Sequence, residues 1–353
     1  MRLFILTDTK LGVPKAILFQ KVIDIIEAGA NAPQLHYYIV SNHFPIHFEE
    51  LCSKNNQVTL LNQLQAEQLI GEVTNASIVH FGAELKGSTQ FPHYFIPLTH
   101  PGLATDASFL KGAWQQFTFK AYLKKATGVY CLNDWALNSL QFFYKEYKAL
   151  FQPVFLPPAA LPSYEWTQLS EVKNELSEGN NYFLAFIPID HFVHTLKEFS
   201  IFKKWQQTSM SIVFVFDNDK HLQEAANLLK GYKYKDAVVL KHSADLSQAW
   251  IAATYAILFD GVDFDKTAIM EWGILYDIPL LFDIIKSQPN SWSKAGSVFS
   301  FSEKSSLASH FKLYYKDEVY RQARARMGKE WLELLSSERL QKGLPNLSNI
   351  LKG

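Results

Sequence analysis

The feature that most constrains the fold of this chain is a repeated alternation between a short apolar run and a segment with helical spacing. Short apolar runs of this kind are typical of strands that are buried on both faces of a sheet. The helical segments between them are long enough to cross back over that sheet and start a parallel neighbour. The alternation therefore predicts an α/β fold built from doubly wound parallel sheets, each a Rossmann-like domain.

In the first half of the chain the alternation predicts one doubly wound unit. Its predicted strands are residues 3–6, 35–40, 77–81, 94–98, 128–132 and 153–156. Its predicted helices are residues 15–28, 61–73, 109–124 and 134–148.

A proline-rich stretch separates this unit from a second alternation. Pro157, Pro158 and Pro162 lie close together, and so many prolines cannot sit inside a sheet. We therefore expect an interdomain linker here, with one domain over residues 1–160 and another over residues 163–336. In the second domain the predicted strands are residues 182–187, 211–216, 237–240, 255–259 and 279–282, and the predicted helices are 194–205, 220–230, 244–253, 267–275 and the chain beyond 301.

Composition excludes several classes of protein. The chain has 353 residues, which fits two domains, and its hydrophobic fraction of 48% is too high for a disordered chain. Lys and Arg number 34, as do Asp and Glu, so no net charge attracts nucleic acid. The two cysteines cannot form a disulfide framework, which favours a reducing cytoplasm.

Membrane and export signals are weak. The apolar run at residues 1–6 is too short for a signal peptide, and the one at 249–259 is about half of a membrane span. We expect a cytoplasmic protein, and peripheral contact with the inner face of a membrane through aromatic and lysine side chains stays open.

Two parallel domains joined by a stiff linker predict a ligand cleft at the carboxyl ends of the strands. Sugar-nucleotide transferases, nucleotide-sugar epimerases and two-lobed binding proteins all use this layout, so the architecture alone does not choose between them.

Residues 256–273 help to distinguish between these classes of protein. An apolar strand runs into a loop and then a helix, and Asp263 is separated from Glu271 by seven residues. This resembles the Glu, seven residues, Glu signature of the retaining glycosyltransferases of family 4, which have the GT-B fold. Weaker similarity to the same family lies at residues 96–100, 154–158, 182–187, 195–199 and 238–246.

The resemblance implies a donor site in the second domain for a nucleotide sugar. Asp263 would bind the donor sugar and Glu271 the ribose hydroxyls, because a carboxylate accepts several hydrogen bonds. The helix start formed by Phe264, Asp265, Lys266 and Thr267 would stabilise the departing diphosphate without a metal.

Further roles follow from the resemblance. Lys241 and His242 would border the donor base, and Lys197 would assist at the phosphates. In the first domain, the acceptor side, His100 would lie near the reacting centre and Gly12 in a phosphate loop. A C-terminal helix at about 337–353 would return to this domain. The donor is a substrate, no cofactor is expected, and the acceptor is an unspecified glycan, lipid or small molecule, as in polysaccharide biosynthesis.

The sequence departs from the family at four places. Asp263 replaces a Glu, and Gly12 stands where two glycines are usual. Residues 188–194 contain neither the Arg nor the Lys expected there, and Pro279 lies one residue further from Glu271 than is usual. These departures leave open a non-catalytic relative that binds a sugar nucleotide or a partner protein, and a GT-B epimerase.

Simpler interpretations also stay open for single residues. Asp263 and Glu271 could be solvated charges near a helix start, Lys197 an exposed helix lysine, and His100 the end of a strand. Residues 217–219 and 263–265 each match a short Asp-x-Asp metal pattern, which is a weak signal. His80, His93 and most of the aromatic residues are expected to be structural.

Overall fold

The computed structural model describes residues 2–7, 36–41, 57–81, 91–96, 119–131, 134–154, 162–205, 207–260, 266–283 and 294–341. The chain divides into two compact units, Met1–Pro157 together with Arg339–Gly353, and Pro158–Glu338. The predicted helix at 15–28 and the linker prolines Pro157 and Pro158 lie outside the described residues.

The first unit is built on a parallel sheet, to which the described residues contribute seven strands. Their order is β3-β2-β1-β4-β5-β6-β7, and every neighbouring pair is parallel. This order is that of a doubly wound sheet. The strands are β1 (Arg2–Thr7), β2 (His36–Val40), β3 (Val58–Leu61), β4 (Ala76–Phe81), β5 (His93–Phe95), β6 (Gly128–Cys131) and β7 (Phe151–Pro153).

Helices α1 (Gln63–Glu72) and α2 (Asp134–Phe143) belong to this unit, and a 3-10 helix follows at Lys145–Leu150. Asn62 starts α1 through a capping box with Gln65. The prediction of a helix from residue 61 was wrong at its start, because Val58–Leu61 pairs with β2 as the edge strand β3. An edge strand that is partly exposed lacks the continuous apolar run used to find the other strands.

The second unit has the same strand connectivity. Its sheet has the order β10-β9-β8-β11-β12-β13 among the described strands, again parallel throughout. β8, β9 and β11 are buried along their whole length. The strands are β8 (Tyr182–Phe186), β9 (Ser211–Phe216), β10 (Val238–His242), β11 (Ala256–Phe259), β12 (Leu280–Asp283) and β13 (Ser297–Phe299).

The helices of the second unit partly match the predicted ones. The helix that follows β8 begins at Ile189, directly after Pro188, rather than at residue 194. Two elements were not predicted: the first helix, which has few buried residues, and the short strand β13. The helices are α3 (Trp166–Ser177), α4 (Ile189–Trp205), α5 (Asp219–Leu229), α6 (Gln248–Ala253), α7 (Thr267–Leu275), α8 (Ser306–Lys316) and α9 (Glu318–Gln341).

The core of this unit fixes α4 and α8 against the sheet. Phe192, Phe199 and Phe202 form a fully buried stripe on α4. Phe311 of α8 stacks on Phe183 of β8, with 4.3 Å between ring centroids. Full burial of each such ring contributes about 1.5 to 3 kcal/mol, so the stripe holds the first turn of α4 at the carboxyl end of β8.

The chain runs through α9 without a break to Gln341, so no new helix begins at residue 337. The boundary between the two units, at Glu338 and Arg339, falls inside this helix.

Candidate functional site

The reversal of strand order next to β8 and β11 marks a switch point, the place where ligands bind to sheets of this type. Polar side chains follow these two strands at the carboxyl edge of the sheet. His191 lies in the first turn of α4 after β8, and Asp260 directly follows β11. Asp283 ends the neighbouring strand β12.

His191 and Asp260 form the central contact of this edge. Their Nδ1 and Oδ1 atoms are 2.5 Å apart. The side chains are 38% and 25% exposed, so both can meet a ligand from solution. Burial raises the pKa of Asp260, and the nearby charges of His191 and Lys266 oppose that shift.

Asp283 supplies a second carboxylate. Its Oδ1 accepts a hydrogen bond from the backbone N–H of Phe301 at 3.1 Å. Burial raises the pKa of this carboxyl, opposed by that hydrogen bond and by the charges of His191 and His194. One ligating atom each from His191, Asp260 and Asp283 lies within 4.8 Å of the other two. The cluster can therefore hold protons or a cation.

Neighbouring side chains fix the orientation of His191. The ring of Phe301 lies 4.2 Å from that of His191, measured between centroids, and His194 meets Phe301 edge-on at 5.3 Å. Glu198, one further turn along α4, is buried and accepts hydrogen bonds from the N–H groups of Ser305 and Ala308. These contacts tie the helix that carries His191 to the start of α8.

Three of the sequence-predicted donor residues lie on α7 or directly before it. Lys266 is the residue before its first turn and is partly buried, and its charge acts on Asp260. Thr267 begins the helix, as predicted. Glu271 is buried, with 7% of its surface exposed, on a helix whose described side chains are almost all buried. Lys266 is therefore brought to the same edge as Asp260, while Glu271 lies one turn further along.

Three other predicted residues lie on other elements of the unit. Lys197 is exposed on α4. Lys241 lies over the ring of Trp250 at 5.5 Å and pairs with Glu175 at 3.7 Å. The Nδ1 atom of His242 accepts a hydrogen bond from the N–H of Ala244 and so caps the short 3-10 helix Ser243–Asp245. None of these described contacts is with His191, Asp260 or Asp283.

Several predicted site residues lie outside the described residues: Gly12, His100, Asp263, Phe264 and Asp265.

His80 and His93 were expected to be structural. Both are buried in the first unit, on β4 and β5, where their rings stack and His80 Nε2 lies 2.7 Å from His93 Nδ1. This placement agrees with a role in the core.

Sequence reasoning missed His191, Asp260 and Asp283. In residues 188–194 the resemblance implies an Arg and a Lys, and His191 was not among the predicted site residues. A different signal could have found all three: each is the first or an early polar residue after a predicted strand of the second domain. Polar groups at strand ends meet at one edge in a parallel sheet.

None of the helices among the described residues combines the length and the apolar character needed to cross a membrane.

No protein-family model matches the chain, and a search of curated proteins finds no significant match. Solved structures do match along its whole length. WaaG, a glycosyltransferase involved in lipopolysaccharide biosynthesis, is 12% identical with a TM-score of 0.65, and the match covers 94% of this chain and 95% of WaaG. HepE of Anabaena, solved with UDP and glucose, is 11% identical with a TM-score of 0.65, covering 99% and 97%.

A third similar structure is a protein from Listeria monocytogenes assigned as a UDP-N-acetylglucosamine 2-epimerase. It is 12% identical with a TM-score of 0.59, and the match covers 98% of each chain. At these identities the likeness establishes the fold. The chain has the α/β fold of GT-B proteins, with a parallel Rossmann-like sheet in each of its two units.

Proposed function

We propose that this protein is a glycosyltransferase that takes a sugar from a nucleotide-sugar donor and transfers it, with retention, to an acceptor. The observation that carries the proposal is the polar cluster at the switch point of the second unit, formed by His191 with Asp260 and flanked by Lys266. It lies in a chain whose fold matches, over its whole length, a glycosyltransferase and a protein solved with UDP and glucose.

The second unit would hold the donor. The first turn of α7, which begins at Thr267, has backbone N–H groups that favour a diphosphate, and Lys266 adds a positive charge beside them. Glu271 would accept hydrogen bonds from the ribose hydroxyls. Asp263 would meet the donor sugar, as the sequence resemblance implies.

The first unit would hold the acceptor, with His100 near the reacting centre and Gly12 in a phosphate loop, as the resemblance implies. The acceptor would be a glycan, a lipid or a small molecule, which fits a role in polysaccharide biosynthesis. Transfer would take place in the cytoplasm, where a peripheral membrane contact would serve a lipid acceptor.

A nucleotide-sugar epimerase is the second candidate function. It is favoured by the likeness to a protein assigned as a UDP-N-acetylglucosamine 2-epimerase. The two functions differ in their products. A transferase without its acceptor releases free sugar and nucleoside diphosphate by slow hydrolysis of the donor, whereas an epimerase returns a nucleotide sugar of changed configuration.

The test begins with a thermal-shift panel of UDP-, GDP-, ADP- and dTDP-sugars. A donor at about a hundred times its Kd should stabilise the protein by about 2.7 kcal/mol. Incubation with the best binder, followed by chromatography and NMR of the products, then separates hydrolysis from epimerisation. No stabilisation by any nucleotide sugar or nucleoside diphosphate would refute the proposal.

The same assay tests the site residues. Glu271→Gln keeps the shape of a buried side chain but weakens acceptance of ribose hydrogen bonds, and should raise the Kd of the nucleotide several-fold or more. Lys266→Ala should raise the Kd of the diphosphate nucleotide but not of the uncharged nucleoside. Lys329→Ala, which removes an exposed lysine paired with Asp277, is the matched control and should bind as the wild type does. Unchanged affinity in Glu271→Gln would remove that residue from the site.

A further inference from the structure

We propose that His191, Asp260 and Asp283 bind one divalent transition-metal ion at the carboxyl edge of the second sheet. The three side chains offer an imidazole nitrogen and two carboxylate oxygens. Mixed nitrogen and oxygen donors of this kind suit Mn²⁺ and Zn²⁺. This departs from the metal-independent transfer that the sequence resemblance implies.

The three donors converge from three separate elements. His191 comes from the first turn of α4, Asp260 from the end of β11 and Asp283 from the end of β12, and their ligating atoms lie within 4.8 Å of one another. Ligands at about 2.1 Å from one ion lie about 3.0 Å from each other in octahedral coordination and about 3.4 Å in tetrahedral coordination. The Nδ1 and Oδ1 atoms of His191 and Asp260 are 2.5 Å apart and would part by about 0.5 to 0.9 Å to hold an ion. Asp283 already has a carboxylate oxygen within 4.8 Å of both atoms.

The charge of the cluster favours a cation over a bare anion. Asp283 is buried and Asp260 is partly buried, and burial of two negative charges costs free energy unless positive charge compensates them. His191, His194 and Lys266 supply part of that compensation. A divalent ion would complete it. A diphosphate placed here without such an ion would meet two like charges.

The surrounding contacts hold the ligands in place. Phe301 donates its N–H to Asp283 and packs its ring on His191, so one residue orients two of the three ligands. A carboxylate has about four acceptor positions, and one hydrogen bond therefore leaves room for a metal bond. Supporting contacts of this kind are typical of metal sites in proteins.

The role of the ion follows from its position at the switch point. There the ion would bind the donor diphosphate. It would supply the positive charge that an Arg and a Lys would otherwise give, since residues 188–194 contain neither. This role rests on the proposed function, whereas binding of the ion itself does not. The two parts can therefore fail separately.

The test is titration of the purified full-length protein with Mn²⁺, following the signal of free Mn²⁺ by electron paramagnetic resonance, and with Zn²⁺ by calorimetry. We expect one saturable site. Asp283→Asn, Asp260→Asn and His191→Gln should each raise the Kd by about tenfold or more. Asp277→Asn removes an exposed carboxylate that pairs with Lys329 and should bind as the wild type does. Circular dichroism confirms that each variant is folded.

Absence of a saturable site for both ions would overturn the proposal, as would wild-type affinity in both aspartate variants. Repeating the titration with UDP separates the two proposals. Tighter Mn²⁺ binding in the presence of UDP supports a role of the ion in binding the diphosphate. UDP binding that is equal in Mn²⁺ and in EDTA refutes that role but leaves the proposed function standing. A metal site in a protein that binds no nucleotide refutes the proposed function alone.

Discussion

Replacement of Glu198 by Ala should destabilise the start of α8 more than any surface substitution in the second unit. The Glu198 side chain is 5% exposed, and its two oxygens accept hydrogen bonds from the N–H of Ser305 at 3.1 Å and from the N–H of Ala308 at 2.9 Å. It therefore caps α8 from another helix. Removing it leaves two helix-end donors without their acceptors.

The expected magnitude follows from these contacts. A hydrogen bond to a charged group is worth about 1.5 to 3 kcal/mol, and a buried donor left unpaired costs about 1 to 3 kcal/mol. Ala308 is fully buried, whereas Ser305 is partly exposed and can recover a bond to water. We therefore expect Glu198→Ala to lower the free energy of unfolding by about 3 to 4 kcal/mol. Glu198→Gln keeps one acceptor oxygen and should cost about half as much.

The assay is hydrogen exchange of the α8 amides measured by mass spectrometry, supported by urea unfolding followed by circular dichroism. Exchange is the sharper measurement because a chain with two units need not unfold in one step. Glu224→Ala on the exposed face of α5 is the matched control and should change stability by no more than about 0.5 kcal/mol. Wild-type protection of α8 in Glu198→Ala would show that the cap contributes nothing.

Three further predictions concern local structure. Gly296→Ala should lower the midpoint of urea unfolding, because the new Cβ would lie 2.4 Å from the Leu280 carbonyl oxygen. Gly71→Ala places its Cβ where no atom lies within contact distance, and should raise the free energy of unfolding by up to about 1 kcal/mol in the same assay. Asn62→Ala should destabilise α1 by about 1 kcal/mol, seen as faster amide exchange there. Burial raises the pKa of Cys131 to about 12, so iodoacetamide at pH 8 should label it only after unfolding. Labelling of Cys131 in the native protein, distinguished from Cys52 by peptide mass spectrometry, would contradict this.

Much of the fold was predictable because the buried strands carry their signal locally. β9 and α7 have the predicted bounds, and the other fully buried strands of the second unit differ from their predicted bounds by one residue at one or both ends. Elements with little burial were not predicted, as the edge strand β3 and the helix α3 show. Their local sequence pattern does not indicate their structure, because tertiary contacts place these residues in the fold.

The candidate site was only partly predictable, because its residues are brought together across the sheet. Lys266 was found through a local pattern that precedes a helix. His191 and Asp260 are separated by 69 positions and meet only because β8 and β11 are neighbours. That adjacency is a property of strand order, which a linear motif does not contain. The sequence resemblance also predicts an Arg and a Lys in residues 188–194, so it does not identify His191 as a site residue.

The division of the chain has a consequence for its synthesis. The first unit includes both the start of the chain and its last residues, Arg339–Gly353, while the second unit is one continuous segment between them. A ribosome completes the second unit before it has made the final segment of the first. Domains generally fold as units from the N-terminus onward, and the first unit is an exception because Arg339–Gly353 is synthesised only after the whole second unit. We expect its assembly to be the late event in the biogenesis of this protein.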